Sequence, residues 1–364
     1  MTGIFTYRNF SLEDVPDLQD RVAVVTGGHA GIGKGTYKIT AQLLCHGIAR
    51  VIILARSQDK FITACNEWRQ NQAISLSEDD PRVKFVKCDL GDIENVKAAT
   101  EKIQEMTDRV HILVCNAGER VSLFPSTYRF SDISHKHEAL GVPNEYTRSP
   151  QNIEGVFAAN CVGHQVLTTL LMPLLKHGVV TIRNGDVRIV VASSSLHLTC
   201  QELDLDLLTS SCRIKWPVLY DGVWRYGRSK LGNILFAKEL SRRLLNDRDP
   251  ASKHIYVNSF FPGNIVTDQW LDWSSYFGSF LGWLMRLGGS SWGQTLEDGA
   301  ATALYLAAAT EVREENIRGQ YFIPIATLCE PSSIAGDMKV SRDLWDWIDA
   351  QATETLGLDW EWQN

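Results

Sequence analysis

Residues 22–34 read Val-Ala-Val-Val-Thr-Gly-Gly-His-Ala-Gly-Ile-Gly-Lys, and this stretch decides the fold. Its first five residues form a short, β-branched apolar run that predicts a buried strand. Glycines follow at 27, 28, 31 and 33, and a helical pattern begins at Gly33. Bare backbone at the amino terminus of a helix lets a phosphate approach free N–H groups, and the helix dipole favours its charge. The stretch therefore predicts a strand, a phosphate-binding turn and a helix, with a tight turn that binds nothing as the alternative.

From this unit onward, short apolar runs alternate with longer helical patterns. The alternation predicts repeated βαβ units and an α/β fold, a doubly wound parallel sheet of about seven strands. Because the strand runs are nearly continuous apolar stretches without alternation, we expect helices on both faces of the sheet. The predicted strands are 22–26, 51–55, 83–88, 112–115, 187–192, 255–260 and 320–323. The predicted helices are 33–47, 58–72, 92–107, 151–176, 226–246 and 297–309.

The sequence contains no repeat, low-complexity tract or linker, so 1–364 is predicted to be a single domain with its core at about 18–325. Three enlarged segments are expected on the substrate side: 119–150, 196–223 and 264–296. The first two follow strands at their carboxyl ends, where ligands of open α/β sheets bind. Exposed insertions without function are the alternative. The C-terminal extension, 326–364, is expected to dock on the domain or on a neighbouring subunit through Trp345, Trp347, Trp360 and Trp362.

Composition excludes several classes of protein. Residues that are 44% hydrophobic and 22% charged are typical of a folded globular chain. The 36 basic and 43 acidic side chains give a net charge of -7, which disfavours nucleic acid or an acidic membrane as a partner of the whole surface. Residues 1–20 lack the apolar run of a secretory signal, and the most apolar stretch, 265–287, is interrupted by charges and falls short of a membrane span.

Cysteine and histidine usage gives no indication of a metal site. The eight cysteines are scattered, without a C-x-x-C pair or zinc-ligand spacing. Free thiols predict a reducing compartment, so we expect a cytoplasmic protein, with peripheral contact to an intracellular membrane left open. Five histidines that lack paired carboxylates or cysteines around them are expected at the surface or in hydrogen-bonded core positions: His29, His111, His135, His137 and His164.

Two charged residues at strand ends are candidates for binding the nucleotide. Arg56 ends the second strand, where the ribose of a dinucleotide would lie. An acidic residue at this place binds the ribose 2′-hydroxyl of NAD, whereas a guanidinium can hold a 2′-phosphate. NADP(H) is therefore favoured over NAD(H), with a surface arginine capping the sheet edge as the alternative. Asp89 follows the third strand and could bind an adenine amino group or cap a helix.

Polar residues that could catalyse a proton transfer follow the next strands. The fourth strand ends in Asn116-Ala117-Gly118, and the fifth ends in Ser193-Ser194-Ser195. The following helix carries Tyr226 and Lys230, which are four positions apart and share one helix face. An ammonium group beside a phenol lowers the pKa of the phenol and suits it to general acid–base work. A solvent-facing helix pair is the alternative.

Together these motifs resemble those of the short-chain dehydrogenase/reductase family, from about Leu18 to about Phe322. The resemblance rests on T-G-x-x-x-G-I-G at 26–33, D-L at 89–90, N-A-G at 116–118, Asn160, S-S at 193–194, Y-x-x-x-K at 226–230 and P-G at 262–263. Within the family, 188–197 and 226–236 are most similar to the retinol-dehydrogenase group. The chain departs from that group in its longer loops and its Trp-rich tail.

The resemblance implies a Rossmann-type fold and a role for each matching residue. Tyr226 would exchange the proton of the substrate oxygen, and Lys230 would hold the nicotinamide ribose and lower the pKa of the tyrosine. Ser194 would bind the substrate oxygen, and Asn160 would position a water of the proton relay. Ser194 is chosen because the related pattern is S-S-x-x-H, ending here at His197; Ser193 and Ser195 stay open. The implied cofactor contacts are Gly27, Gly31, Ile32, Gly33, Arg56, Asp89, Leu90, Asn116, Ala117, Gly118, Tyr226, Lys230, Pro262, Gly263 and Thr267.

An apolar stripe bears on the substrate. Six apolar residues are spaced three or four positions apart, which would place them on one face of a helix: Trp270, Trp273, Phe277, Phe280, Leu284 and Leu287. The stripe is expected either to close over a bulky hydrophobic substrate, to pack in the core, or to touch a membrane. The expected activity is that of an NADP(H)-dependent carbonyl reductase or alcohol dehydrogenase. There are two alternatives. One is isomerisation, cyclisation or dehydration of a substrate with the cofactor bound, and the other is a non-catalytic dinucleotide-binding role. Homo-oligomerisation is left open.

Overall fold

The computed structural model describes residues 9–29, 35–74, 76–77, 80–118, 146–182, 185–210, 218–263 and 295–360. Within these ranges, eight strands form one sheet in the order β3-β2-β1-β4-β5-β6-β7-β8. The first seven strands are parallel, and β8 is antiparallel to β7. They are β1 (Val22–Thr26), β2 (Arg50–Ala55), β3 (Val83–Lys87), β4 (Ile112–Cys115), β5 (Val187–Ala192), β6 (Ile255–Phe260), β7 (Tyr321–Ile323) and β8 (Thr327–Leu328).

Helices cover both faces of this sheet. They are α1 (Gly35–Cys45), α2 (Gln58–Gln70), α3 (Ile93–Met106), α4 (Gly155–Thr181), α5 (Val218–Asn246), α6 (Leu296–Ala308), α7 (Glu311–Glu314), α8 (Ser333–Gly336) and α9 (Met338–Leu356). Alternate residues of β1 enter different cores: Val24 packs in the cluster that includes α3, α4, α5 and α9, whereas Ala23 and Val25 pack in the cluster that includes α1, α2 and α6. The predicted α/β fold, a doubly wound parallel sheet, is confirmed.

The predicted elements differ from the observed ones mainly at helix ends, whereas the helices α7, α8 and α9 were not predicted. Each predicted strand agrees with the observed one to within a residue, because continuous apolar runs mark buried parallel strands. Helix α5 begins at Val218, eight residues before the predicted start. Helix α4 continues through Pro173 to Thr181. Strand β8 was not predicted, because its two residues are too short for a periodic signal.

Helix α4 is a core helix of the sheet. It is the one helix of the described residues that is long and apolar enough to cross a membrane, with a mean hydropathy of 1.2. Of that apolar window, 94% is buried inside the protein. Its apolar surface is therefore covered by the strands and by neighbouring helices.

The C-terminal extension packs on the helices that follow β4 and β5. Trp345 of α9 stacks on Phe236 of α5, with ring centroids 5.9 Å apart, and Trp347 meets the edge of Phe157 in α4 at 6.4 Å. Trp360 is buried as well. The predicted docking on the domain is confirmed for Trp345 and Trp347, whereas the Trp360 Nε1 donates to Thr353 within the extension. Trp362 lies outside the described residues, as do the stripe at 270–287 and most of the segment 119–150.

Helix α4 packs so closely on the loop before β4 that Gly178 leaves no space for a larger side chain. A Cβ atom at Gly178 would lie 2.3 Å from the carbonyl oxygen of Val110, whereas one at Gly336 would meet nothing within 4 Å. We expect Gly178→Ala to lower the free energy of unfolding by about 1–3 kcal/mol, because the backbone must move apart. The control Gly336→Ala should not lower it. Urea unfolding of both variants checks this, and equal stabilities would contradict the packing described.

Candidate active site

The predicted site residues gather where the chain leaves β1, β4 and β5. Strands β1 and β4 are neighbours, but the chain passes from β1 to β2 on one side and from β4 to β5 on the other. The ends of these strands therefore diverge and leave a crevice, which is where open α/β sheets bind ligands. At the crevice, Thr26 Oγ1 accepts hydrogen bonds from the backbone N–H groups of Asn116 and Ala117, each at 2.9 Å.

Two glycines allow the chain segments at the crevice to approach closely. Gly27 has a φ of +68°, and a Cβ atom there would lie 3.1 Å from the Cβ of Ala117. A Cβ atom at Gly118 would lie 2.7 Å from Asn160 Oδ1. The first position needs glycine for its backbone conformation, and the second needs it for space. The structure thus brings Gly27, Asn116, Ala117, Gly118 and Asn160 together.

Lys230 and Tyr226 lie on the face of α5 that meets the end of β5. The side chain of Lys230 is buried, and its Nζ donates a hydrogen bond to the carbonyl of Ala192 at 3.2 Å. The same Nζ lies 5.5 Å from the centroid of the Tyr226 ring. Tyr226 itself is half-buried. A cation at this distance attracts the ring, and it would stabilise negative charge on the phenol oxygen.

The three serines after β5 differ in their surroundings. Ser193 is buried, and its hydroxyl donates to the Lys230 carbonyl at 2.8 Å, so this side chain joins strand to helix. Ser194 is half-buried, and its Oγ accepts from the backbone N–H of Leu196 at 3.2 Å. That bond does not use the Ser194 hydroxyl proton, which remains available for a substrate oxygen. Ser195 is half-buried and begins a 3₁₀ turn, Ser195–Thr199.

Asn160 connects α4 to the helix that carries the tyrosine. It lies in a π-helical turn, Ala158–Val162, within α4 and is fully buried. Its Nδ2 donates to Ser229 Oγ at 3.0 Å, and the Ser229 hydroxyl donates to the carbonyl of Tyr226 at 2.8 Å. An extra residue in a helical turn is often found at functional sites. Here it lets the Asn160 side chain reach α5.

His197 supports the backbone of Ser194, a contact that sequence reasoning missed. Its Nδ1 lies 2.7 Å from the Ser194 carbonyl, which can only accept, so Nδ1 carries the proton. Its Nε2 accepts from the backbone N–H of Ser332, in the C-terminal extension, at 3.4 Å. Burial lowers the pKa of His197, which favours this neutral form. The S-S-x-x-H pattern was the available signal.

A buried charge cluster next to Tyr226 was also missed. Arg225 pairs with Glu154 and with Asp221, each at 3.0 Å, and all three side chains are buried. Glu154 also accepts from the backbone N–H groups of Val156 and Phe157 at the start of α4. The cluster joins the first turns of α4 and α5. Taken one by one, these residues resemble ordinary surface charges, and only the fold shows that they meet.

The predicted cofactor residues occupy a row of strand ends. Arg56 is exposed at the end of β2, and Asp89 follows β3, where its Oδ1 accepts from the N–H of Gly91 at 3.0 Å. Leu90 is buried beside it. Pro262 and Gly263 are buried after β6, and Gly263 has a φ of +98°. Four predicted positions lie outside the described residues: Gly31, Ile32, Gly33 and Thr267.

No group of three or more His, Cys, Asp or Glu side chains within the described ranges could hold a metal ion. His111 and His164, two of the histidines expected not to be ligands, are fully buried and hydrogen-bonded. Among the described residues, the chemical groups at the crevice include a phenol, an ammonium, a hydroxyl and an amide. Such a set can exchange a proton with a substrate oxygen and hold that oxygen in place.

Comparison with known proteins identifies the family. A model described as short chain dehydrogenase matches residues 21–199. The short chain dehydrogenase/reductase dpchH of Colletotrichum higginsianum is 33% identical over 355 residues, which cover 94% of this chain and 77% of that protein.

Solved structures share the fold. L-sorbose reductase from Gluconobacter frateurii, complexed with NADPH and L-sorbose, has a TM-score of 0.55 at 17% identity, covering 86% of this chain and 98% of that chain. RhlG from Pseudomonas aeruginosa, in a complex with NADP, has a TM-score of 0.56 at 20% identity, covering 87% and 97%. The fold is thus shared well beyond sequence similarity, and the match to dpchH extends over nearly the whole chain. The protein belongs to the short-chain dehydrogenase/reductase family of oxidoreductases.

Proposed function

We propose that this protein is an NADP(H)-dependent carbonyl reductase or alcohol dehydrogenase that acts on a bulky hydrophobic substrate. The observation that carries the proposal is the pairing of Lys230 with Tyr226: the lysine Nζ lies 5.5 Å from the centroid of the tyrosine ring. This pair lies at the end of β5, the strand that Ser194 follows. A binding protein without chemistry would have no need of a buried ammonium group beside a half-buried phenol. The retinol-dehydrogenase group is the part of the family in which we place it.

In the reductive direction, the Tyr226 hydroxyl donates its proton to the substrate oxygen. The Lys230 ammonium lies close enough to stabilise the phenolate that results. The Ser194 hydroxyl donates to the same substrate oxygen and fixes its direction. Asn160 positions a water of the proton relay. The cofactor, when bound, supplies or takes up the hydride, and the oxidative direction reverses each proton step.

The chemistry of the strand ends fits NADP(H). Arg56 offers a guanidinium at the end of β2 for the 2′-phosphate, and the Asp89 carboxylate at the end of β3 offers acceptors for the adenine amino group. Solved relatives of the same fold are described with NADPH and with NADP, which supports this choice. The remaining proposed contacts are Gly27, Leu90, Asn116, Ala117, Gly118, Lys230, Pro262 and Gly263, together with Gly31, Ile32, Gly33 and Thr267.

The substrate class rests on the sequence of the segment 264–296, whose apolar stripe we propose to face the substrate.

The described cysteines are all free thiols, which supports a reducing, cytoplasmic setting.

Turnover tests the proposal directly. A panel of ketones and aldehydes of increasing hydrophobicity should oxidise NADPH in the presence of the protein, and the bulky members should be preferred. Tyr226→Phe should lower kcat by about 10²–10⁴-fold, because the proton-donating oxygen is lost. The dissociation constant for NADPH should stay within about threefold, since the ring and Lys230 remain. More than about a tenth of wild-type activity in the variant would show that another group moves the proton.

Arg56 tests the cofactor. Arg56→Asp replaces a partner of the 2′-phosphate with a group that repels it and can accept from a 2′-hydroxyl. One charge-assisted contact corresponds to about 1.5–3 kcal/mol, so NADPH affinity should fall roughly 10- to 150-fold while NADH affinity rises. Calorimetric titration of both nucleotides against both proteins measures the change. A wild-type protein that already prefers NADH would disprove the assignment.

A further inference from the structure

His164 connects two parts of the candidate active site. It lies in α4, one turn after Asn160, and it is fully buried. Its Nδ1 lies 2.9 Å from the carbonyl oxygen of Asn160, and its Nε2 lies 2.9 Å from Thr26 Oγ1. A carbonyl oxygen can only accept, so Nδ1 carries the proton. The Nε2 atom is then an acceptor, and the Thr26 hydroxyl donates to it.

This assignment completes the hydrogen bonding of Thr26. Its oxygen accepts from the backbone N–H groups of Asn116 and Ala117, and its proton goes to His164 Nε2 at 2.9 Å, which is closer than the Val114 carbonyl at 3.3 Å. The imidazole is neutral, because a second proton would face the Thr26 oxygen, which already accepts two bonds. Burial lowers the pKa of His164 to about 4, and the Lys230 ammonium acts in the same direction. The tautomer is therefore fixed by its surroundings at neutral pH.

The link continues on the other side of Asn160. Asn160 Nδ2 donates to Ser229 Oγ, and the Ser229 hydroxyl donates to the Tyr226 carbonyl. Every bond from Thr26 to the Tyr226 backbone is between 2.8 and 3.0 Å long. Thr26 and His164 are 138 positions apart in the sequence, so the contact is purely tertiary. It joins the cofactor side of the crevice to the helix that carries the tyrosine.

We propose that His164 is a positioning residue: as a neutral Nδ1–H tautomer it holds the carbonyl of Asn160 and the hydroxyl of Thr26, and so sets the place of Tyr226 relative to the cofactor-binding strand ends. The inference rests on the proposed function. His164 itself touches no reacting atom. Its effect on the reaction passes through Asn160 and Ser229, so losing it should displace the tyrosine without removing any catalytic group.

His111 is a matched control at the opposite end of the same sheet. It is also fully buried, its Nδ1 accepts from the backbone N–H of Val22 at 2.9 Å, and its Nε2 lies 3.1 Å from Thr181 Oγ1. Burial lowers its pKa to about 4 as well. The two histidines thus match in burial, in bonding through both ring nitrogens and in the direction of their pKa shift, although Nδ1 donates in His164 and accepts in His111. Only His164 lies beside the candidate site.

The experiment compares His164→Leu, His164→Asn and His111→Leu. Leucine removes both hydrogen bonds, whereas the asparagine amide can replace Nδ1–H as a donor to the Asn160 carbonyl. We expect kcat per folded molecule to fall about 10- to 100-fold in His164→Leu, because small displacements of reacting groups are costly. His164→Asn should recover kcat to within about threefold, and NADPH affinity should stay within about threefold in all variants. His111→Leu should lose stability and keep its kcat.

Hydrogen exchange supplies a readout that does not depend on turnover. In His164→Leu, amides in 112–118 and 158–164 should exchange faster than in the wild type, and in His111→Leu those at 116–118 and 158–164 should not. An unchanged kcat in His164→Leu, an equal loss of kcat in His111→Leu, or unchanged exchange would overturn the role of His164. A wild-type protein that turns over no carbonyl would overturn the proposed function instead, and exchange would still decide whether His164 links these segments.

Discussion

The hydroxyl group of Thr26 joins the neighbouring strands β1 and β4 at the point where their connections separate. Parallel strands with diverging connections leave a crevice between them, and nothing in the sheet ladder itself fixes the loops that follow. Thr26 fixes one of them, since its oxygen accepts the first two N–H groups after β4. The groups predicted to bind cofactor and substrate are arranged around this contact. A polar side chain at the end of an apolar strand thus defines the geometry of the site.

Burial makes this arrangement stiff. Lys230, Asn160, His164 and Arg225 are nearly or fully inaccessible to water, and hydrogen bonds or ion pairs to neighbouring segments compensate for their burial. An unpaired polar group in such surroundings would be costly, so each bond is strongly favoured over any alternative arrangement. The same low polarity strengthens the effect of the Lys230 ammonium on the nearby phenol. The contacts that stabilise this part of the fold therefore also set the electrostatics around Tyr226.

Local sequence patterns predicted the strands and the pairing of Tyr226 with Lys230. Strand runs are local and apolar, and residues four apart on a helix must share a face. The sequence did not indicate the partners of His164 and Arg225, because these contacts join residues that are 138 and 71 positions apart. The early start of α5 was missed for a related reason: the Asp221–Arg225 pair in its first turns is buried only because Glu154 lies against it.

Helix α9 has a consequence for the order in which the protein is assembled. Trp345 covers apolar surface on α5, and Trp347 covers surface on α4, yet both tryptophans are synthesised after every strand of the sheet. A nascent chain on the ribosome thus presents the outer faces of α4 and α5, the two helices of the candidate site, uncovered until α9 emerges. Transiently exposed apolar surface of this kind promotes aggregation and is bound by chaperones. The yield of active protein in a cell should therefore depend on how quickly this one helix is completed and docks.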